Sequence, residues 1–374
     1  MARIAILTAD IAIASDGVAD YSRLLAAELA RQGHVVLLIG LMQSSGQWVR
    51  YFNTDHQPEL NPEPHWPERL ERVGQLITDF NPGLVSFQYV CFSFGRYGLP
   101  LHIGRDVRRI AGNRPIELMA HELWTCISRP ADMKTYLLGT LQQLNFRELL
   151  RQIRPQCVHV SNPAYVRLLE RIGCRASVLP LFGNIPVTDV KDSWLSSFTD
   201  HLRLMIFGSI HPEWSPSPLM EKLVEFADSI NRKLMIISAG SQGRGKEIWR
   251  NMVDQYQARI AFHALGRMDA GRVSALMNAA DYGIATSPMS LIGKSGTAAA
   301  MLEHDMPVIV TRDEPCYSVG RVEPAEGYGR FIRLDDSFEM QMEKYLGQSR
   351  EMQSRLPLVA KEIIDLNDIT RNGI

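Results

Sequence analysis

The chain has 374 residues, too many for one ordinary hydrophobic core, so two domains are expected. With 45% hydrophobic and 22% charged residues it falls among globular proteins and outside the disordered class. The 40 basic and 41 acidic residues leave a net charge of -1, which excludes a general pull toward nucleic acid.

The elements alternate from the start. Ile4 to Thr8 is a short apolar run, the pattern of a strand buried on both faces of a parallel sheet. A loop with Asp16-Gly17 follows, then a helix from Tyr21 to Gln32, closed by Gly33, and a strand from Val35 to Leu41. Helices at Pro67–Phe80, Ile103–Ala111 and Thr135–Ile153 alternate with strands at Leu84–Val90, Ile116–Ala120 and Cys157–Val160. Asn162 caps a helix at Ala164–Ile172, with Pro163 at its first position, and Ser177–Pro180 is a short strand. Leu181 to His201 has no clear period and reads as the linker.

Alternation restarts with the strand Leu202–Gly208. Strands at 233–238, 260–264, 282–285, 307–311 and 331–334 follow, with helices at 217–231, 246–256, 271–279 and 297–304 between them and a final helix at 351–365. Two successive βα halves predict an α/β protein of two Rossmann-like domains facing across a cleft, with ligands at the carboxyl ends of the strands. The boundaries expected are 1–185, 186–350 and a terminal segment 351–374.

Five cysteines, an odd number with no CxxC pair, fit a reducing cytoplasm and no structural zinc. The N-terminus lacks a charged-then-apolar leader, and no run reaches the roughly 20 apolar residues of a membrane helix. A cytoplasmic protein is expected, one still able to touch a membrane surface peripherally.

Four segments are candidate sites. In Asp16-Gly17-Val18-Ala19-Asp20-Tyr21, Gly17 and Val18 open a helix whose free amides suit an anion, although an ordinary βα turn explains the same residues. His121 ends a strand, where α/β enzymes place reactive groups, and a satisfied strand-end histidine is the alternative. Gly293-Lys294-Ser295-Gly296-Thr297 combines permissive glycines, two hydroxyls, a helix N-terminus and a full positive charge, all suited to a diphosphate. Gly240 to Lys246 matches GxxxxGK, but Glu247 stands where a P-loop needs Ser or Thr. A glycine-rich lining, with Arg244 or Lys246 toward phosphate, fits it better. Ser209, after the first strand of the second half, and Arg267-Met268, after another, are further candidate donor contacts, with a structural turn and a surface loop as the respective alternatives. Asp20, Tyr21 and the aromatic stretch at Tyr89 are placed on the acceptor side, although core packing explains the aromatics of that stretch at least as well.

Asp16-Gly17-Val18-Ala19-Asp20-Tyr21-Ser22 with Leu25, Leu29 and Gly33-His34-Val35 resembles the N-terminal signature of family-four retaining glycosyltransferases. Leu265-Gly266-Arg267, Ala280-Asp281-Tyr282 and Met306-Pro307-Val308-Ile309-Val310 are similar to their C-terminal domain. The resemblance implies the GT-B fold and sugar transfer with retention from a nucleotide-diphosphate sugar to a saccharide, lipid-linked or small-molecule hydroxyl, as in polysaccharide biosynthesis. It implies no metal ion and no cofactor. His121 would contact the donor sugar, Lys294 the departing diphosphate, and the terminal helix would cross back to the first domain. Two departures stand out. Ile292 and Ala300 occupy the places of the family's two glutamates, leaving Glu303 as the substitute for ribose, and the family's Arg and Lys are absent from 209–218. A non-catalytic nucleotide-sugar-binding protein and a sugar-nucleotide epimerase are the alternatives.

Overall fold

A computed structural model describes residues 1–13, 16–43, 46–54, 65–127, 132–316, 318–324 and 328–372, without the side chains of 369–372. It divides into two units: Met1–Pro180, Pro315–Gly320 and Leu356–Ile374 form the first, Leu181–Glu314 and Arg321–Arg355 the second.

The first unit runs β1 (Arg3–Thr8), α1 (Gly17–Arg31), β2 (Val35–Gly40), β3 (Val49–Phe52), α2 (Trp66–Phe80), β4 (Leu84–Val90), α3 (Cys91–Phe94), α4 (Ile103–Ala111), β5 (Ile116–Glu122), α5 (Met133–Ile153), β6 (Cys157–Val160), α6 (Pro163–Glu170) and β7 (Ser177–Val178). Its strands lie in the order β3-β2-β1-β4-β5-β6-β7. All pair in parallel except β3, antiparallel to β2 at the edge. Every residue of β2 is buried, as a strand covered on both faces requires, whereas β3 alternates in exposure. That short edge strand is missed by the sequence reading because four residues carry too little period.

The second unit runs α7 (Ser193–Ser196), β8 (His201–Ser209), α8 (Ser217–Ser229), β9 (Lys233–Gln242), α9 (Lys246–Tyr256), β10 (Ile260–Gly266), α10 (Ala270–Ala279), β11 (Tyr282–Ala285), α11 (Gly296–Glu303), β12 (Val308–Val310), β13 (Phe331–Arg333) and α12 (Phe338–Tyr345). Its parallel sheet has the order β10-β9-β8-β11-β12-β13. Counted from its own first strand this is 3-2-1-4-5-6, the Rossmann order. The chain then ends in α13 (Leu356–Asn372), which belongs to the first unit and packs on α1 with Val359, Ala360 and Ile363 buried. Residues 315–320 also return there, where Cys316 Sγ donates to the Ile127 carbonyl (2.9 Å) and Ser318 Oγ to that of Cys126 (3.0 Å).

The expected linker at 181–201 is part of the second unit. Ile185 and Leu195 are buried in its core, and Asn278 Nδ2 on α10 donates to the carbonyls of Thr188 (2.5 Å) and Val190 (2.8 Å). This arm is held by side chain to backbone bonds, which leave no hydrophobic period to read.

Glu303 has a comparable duty. Its side chain, in a residue 2% exposed, accepts the N–H of Gly183 (2.9 Å) and of Arg355 (2.7 Å), the residues near which the chain enters and leaves the unit. A Cβ on Gly183 would lie 2.6 Å from Ala300 Cα, so the approach needs glycine. The proposed ribose role of Glu303 is therefore corrected: both carboxylate oxygens are enclosed and used by backbone.

Burial pushes the Glu303 carboxyl up from 4.5 to about 7, against the lowering effect of its bonds to the Arg355 and Gly183 amides. A raised folded value means that stability is complete below the unfolded value and is lost as pH rises through about 7. Urea unfolding followed between those limits should show wild type losing on the order of 1–3 kcal/mol relative to Glu303→Gln, whose curve lacks this slope.

Candidate functional site

In the second sheet β9 and β10 lie on one side of β8, and β11, β12 and β13 on the other. The chain direction across the sheet reverses between β8 and β11, and the loops leaving these two strands part to opposite sides. An α/β sheet opens a crevice at that point, at the carboxyl ends. A cavity of about 460 Å³ lies there, lined among others by Ser209, His211, Arg244, Thr286, Ser295 and Thr297. None of the described lining residues is a carboxylate.

Glycines allow its walls to meet. Gly208 has φ +82°, and a Cβ there would stand 2.5 Å from Thr297 Cγ2. Gly240, at φ +114°, would meet Gly208 Cα at 2.9 Å. The end of β8 is thus pressed against the start of α11. Ser295 caps α11, its Oγ accepting from the Ala298 amide (3.3 Å) and lying 3.1 Å from Thr297 Oγ1. Gly296 and Thr297 are the first two residues of α11, at its N-terminal end, and a Cβ on Gly296 would meet nothing within 4 Å. The positive end of a helix therefore borders a cavity lined by hydroxyls.

Cations gather around it. Arg244 lines the cavity directly. Arg312, two residues past β12, donates from Nη1 to His211 Nδ1 (2.7 Å) and pairs with Glu213 (3.0 Å). The Glu213 amide also donates to His211 Nδ1 (3.2 Å), and the His211 amide donates to Thr286 Oγ1 (2.9 Å). Burial and then Arg312 hold the His211 imidazole below its usual value, with a smaller push from Lys294. His211 is thus neutral at pH 7, with Nδ1 as acceptor and Nε2 carrying the proton. Lys294 itself is exposed, within electrostatic reach of His211.

The structure thus brings Ser209, Ser295 and Thr297 together around one cavity, with Gly296 and Lys294 beside it. Arg267 and Met268 follow the edge strand β10, two strands from β8, and do not line it. Of the GxxxxGK segment, Gly243 and Arg244 reach the cavity, while Lys246 opens α9. Arg312 and Thr286 are missed by the sequence reading. Their only signal is position just past a strand's carboxyl end, which gains meaning once the strand order is known.

In the first unit, Asp16 caps α1 by accepting from Val18 N (2.8 Å) and Ala19 N (2.7 Å). The amide of Val18, expected to face an anion, is occupied by this carboxylate. Gly17 has open space before it, and Asp20 pairs with Arg23. Tyr89 is 1% exposed among Phe87, Phe94 and Phe146, so the structure assigns it to the core and not to an acceptor lip. Tyr21 is 4% exposed, its ring edge-on to His121 at 4.8 Å, and burial raises its phenol. His121 sits in β5, which extends to Glu122, with its Nε2 2.8 Å from Gln88 Oε1. Burial pushes its imidazole down to about 3, so it too is neutral at pH 7.

Gly208→Ala should destabilise the protein by about 1–3 kcal/mol through φ strain and the contact with Thr297. Thermal unfolding of Gly208→Ala combined with Thr297→Ser should recover part of the loss and leave the φ part.

No family model matches the chain, and no curated protein matches it in sequence. Solved structures do match in fold. A sucrose-phosphate synthase from Thermosynechococcus elongatus is 13% identical with TM-score 0.57, the match covering 100% of both chains. HepE from Anabaena, solved with UDP and glucose, is 13% identical with TM-score 0.53, covering 98% of this chain and 100% of its own. A UDP-GlcNAc 2-epimerase from Methanocaldococcus jannaschii is 10% identical with TM-score 0.50, covering 98% and 99%. At such identities the likeness shows the fold, two Rossmann-like units of the GT-B type.

Proposed function

We propose that this chain is a glycosyltransferase whose second unit binds the diphosphate of a nucleotide-sugar donor. The observation that carries the reading is the α11 N-terminus, whose cap Ser295 and second residue Thr297 line the cavity at the sheet's switch point. An anion there meets backbone donors, the hydroxyls of Ser295 and Thr297, and Arg244. Lys294 adds a charge at the rim, and His211 offers an Nε2–H donor. As the glycosidic bond breaks, negative charge grows on the departing diphosphate, and donors already fixed in place stabilise it without reorganising. The solved complex of HepE with UDP and glucose supports a uridine nucleotide as the first donor to test.

His121 is assigned to the transferred sugar on the strength of the family resemblance. With its imidazole pushed down to about 3 by burial, it serves as a neutral hydrogen-bonding group and not as a general acid at pH 7. The acceptor hydroxyl would approach on the face the diphosphate leaves, with its proton passing to that diphosphate, giving retention without a metal ion. The acceptor is a saccharide, a lipid-linked sugar or a small molecule.

A sugar-nucleotide epimerase shares the fold, and such enzymes appear among the structural matches. Epimerisation needs acid and base groups at the sugar.

UDP should raise the melting temperature of the wild-type chain, and Arg244→Ala should weaken UDP binding by about tenfold or more. Lys294→Ala should cut turnover by at least about a hundredfold while unfolding stays cooperative. Unchanged turnover in Lys294→Ala would remove that lysine from the mechanism. Turnover of a UDP-sugar without any acceptor would point to the epimerase.

A further inference from the structure

Strands buried on both faces of a sheet are expected to be apolar throughout. Three adjacent strands of the first unit break this rule on alternate residues: Ser86 and Gln88 on β4, Glu117 and His121 on β5, and His159 on β6. All five residues are at most 7% exposed. Buried polar groups on this scale are costly unless every one is bonded, and these form one unbroken chain. His159 Nδ1 lies 2.9 Å from Glu117 Oε1, and Ser86 Oγ donates to Glu117 Oε2 (2.5 Å). Gln88 Nε2 donates to Ser86 Oγ (2.7 Å), and Gln88 Oε1 lies 2.8 Å from His121 Nε2.

The chain has a fixed direction. A serine hydroxyl has one hydrogen, and the Glu117 carboxylate takes it. Ser86 Oγ must therefore accept, and only the amide end of Gln88 can donate to it. The carbonyl end of Gln88 is left facing His121, where only a protonated Nε2 makes a bond. Burial, the largest single influence on His159, acts in the lowering direction, but the hydrogen bond and charge of Glu117 together with the charge of Glu362 outweigh it and the net shift is upward.

We propose that Ser86, Gln88 and Glu117 are positioning residues that hold His121 as its Nε2–H tautomer, leaving Nδ1 as the ring's one acceptor. Its use in transfer rests on the reading of His121 given above: Nδ1 would accept a hydrogen bond from a sugar hydroxyl and discriminate against a group unable to donate. The tautomer itself is independent of that reading.

Long-range ¹H–¹⁵N NMR of the full chain, with His121 assigned by comparison with His121→Asn, reads the tautomer directly. Wild type should show a protonated Nε2 and a bare Nδ1, unmoved between about pH 6 and about pH 8. Ser86→Ala, a small change that keeps the strand, should reduce the preference by about tenfold, and Ser86→Thr should restore it. A wild-type proton on Nδ1, or a Ser86→Ala spectrum identical to wild type, overturns the inference. Turnover should fall in Ser86→Ala and return in Ser86→Thr. If the tautomer shifts while turnover stays constant, the positioning stands and the assignment of His121 to the sugar falls.

Discussion

A parallel sheet whose crossovers leave to one side of its first strand and then to the other cannot close its carboxyl edge at the reversal. In the second unit that reversal falls between β8 and β11. Everything proposed for the cavity depends on it. The loops after β8, β9 and β11 come from places up to eighty residues apart in sequence, yet they end around the same space. Gly208 and Gly240 let the walls approach, and α11 turns its N-terminus toward the space.

Electrostatics at that edge differ from the picture built on one lysine. Lys294 is exposed beside the cavity, whereas Arg244 lines it and burial together with Arg312 keeps His211 neutral. The positive field comes from a helix end, the Arg244 guanidinium and an ammonium group, while Arg312 is paired with Glu213 and Glu314. Such a site suits an extended anion better than a point charge.

Sequence reading captured what is local. The α11 turn was legible because its glycines, hydroxyls and lysine are consecutive, and the βα rhythm was legible because buried strands are apolar runs. It failed where meaning comes from packing. Tyr89 looks like a binding aromatic in one dimension and is a core residue in three. Glu303 looks like a ribose ligand by spacing, yet it ties Gly183 and Arg355. Val18 looks like a free helix amide, yet Asp16 uses it. The Ser86, Gln88, Glu117 and His159 stripe was readable in principle, since its members stand at alternate positions in otherwise apolar strands. Recognising it requires knowing that β4, β5 and β6 are neighbours.

The placement of α13 bears on how the molecule comes into being. The first unit contains residues from 1–180 and from 356 onward, with Val359, Ala360 and Ile363 buried beneath α1's neighbourhood. During synthesis, at about 5–20 residues per second, the ribosome must make the whole second unit before that surface can be covered. The half made first is therefore the half finished last. Its nascent form leaves the surface that α13 covers open for the intervening seconds.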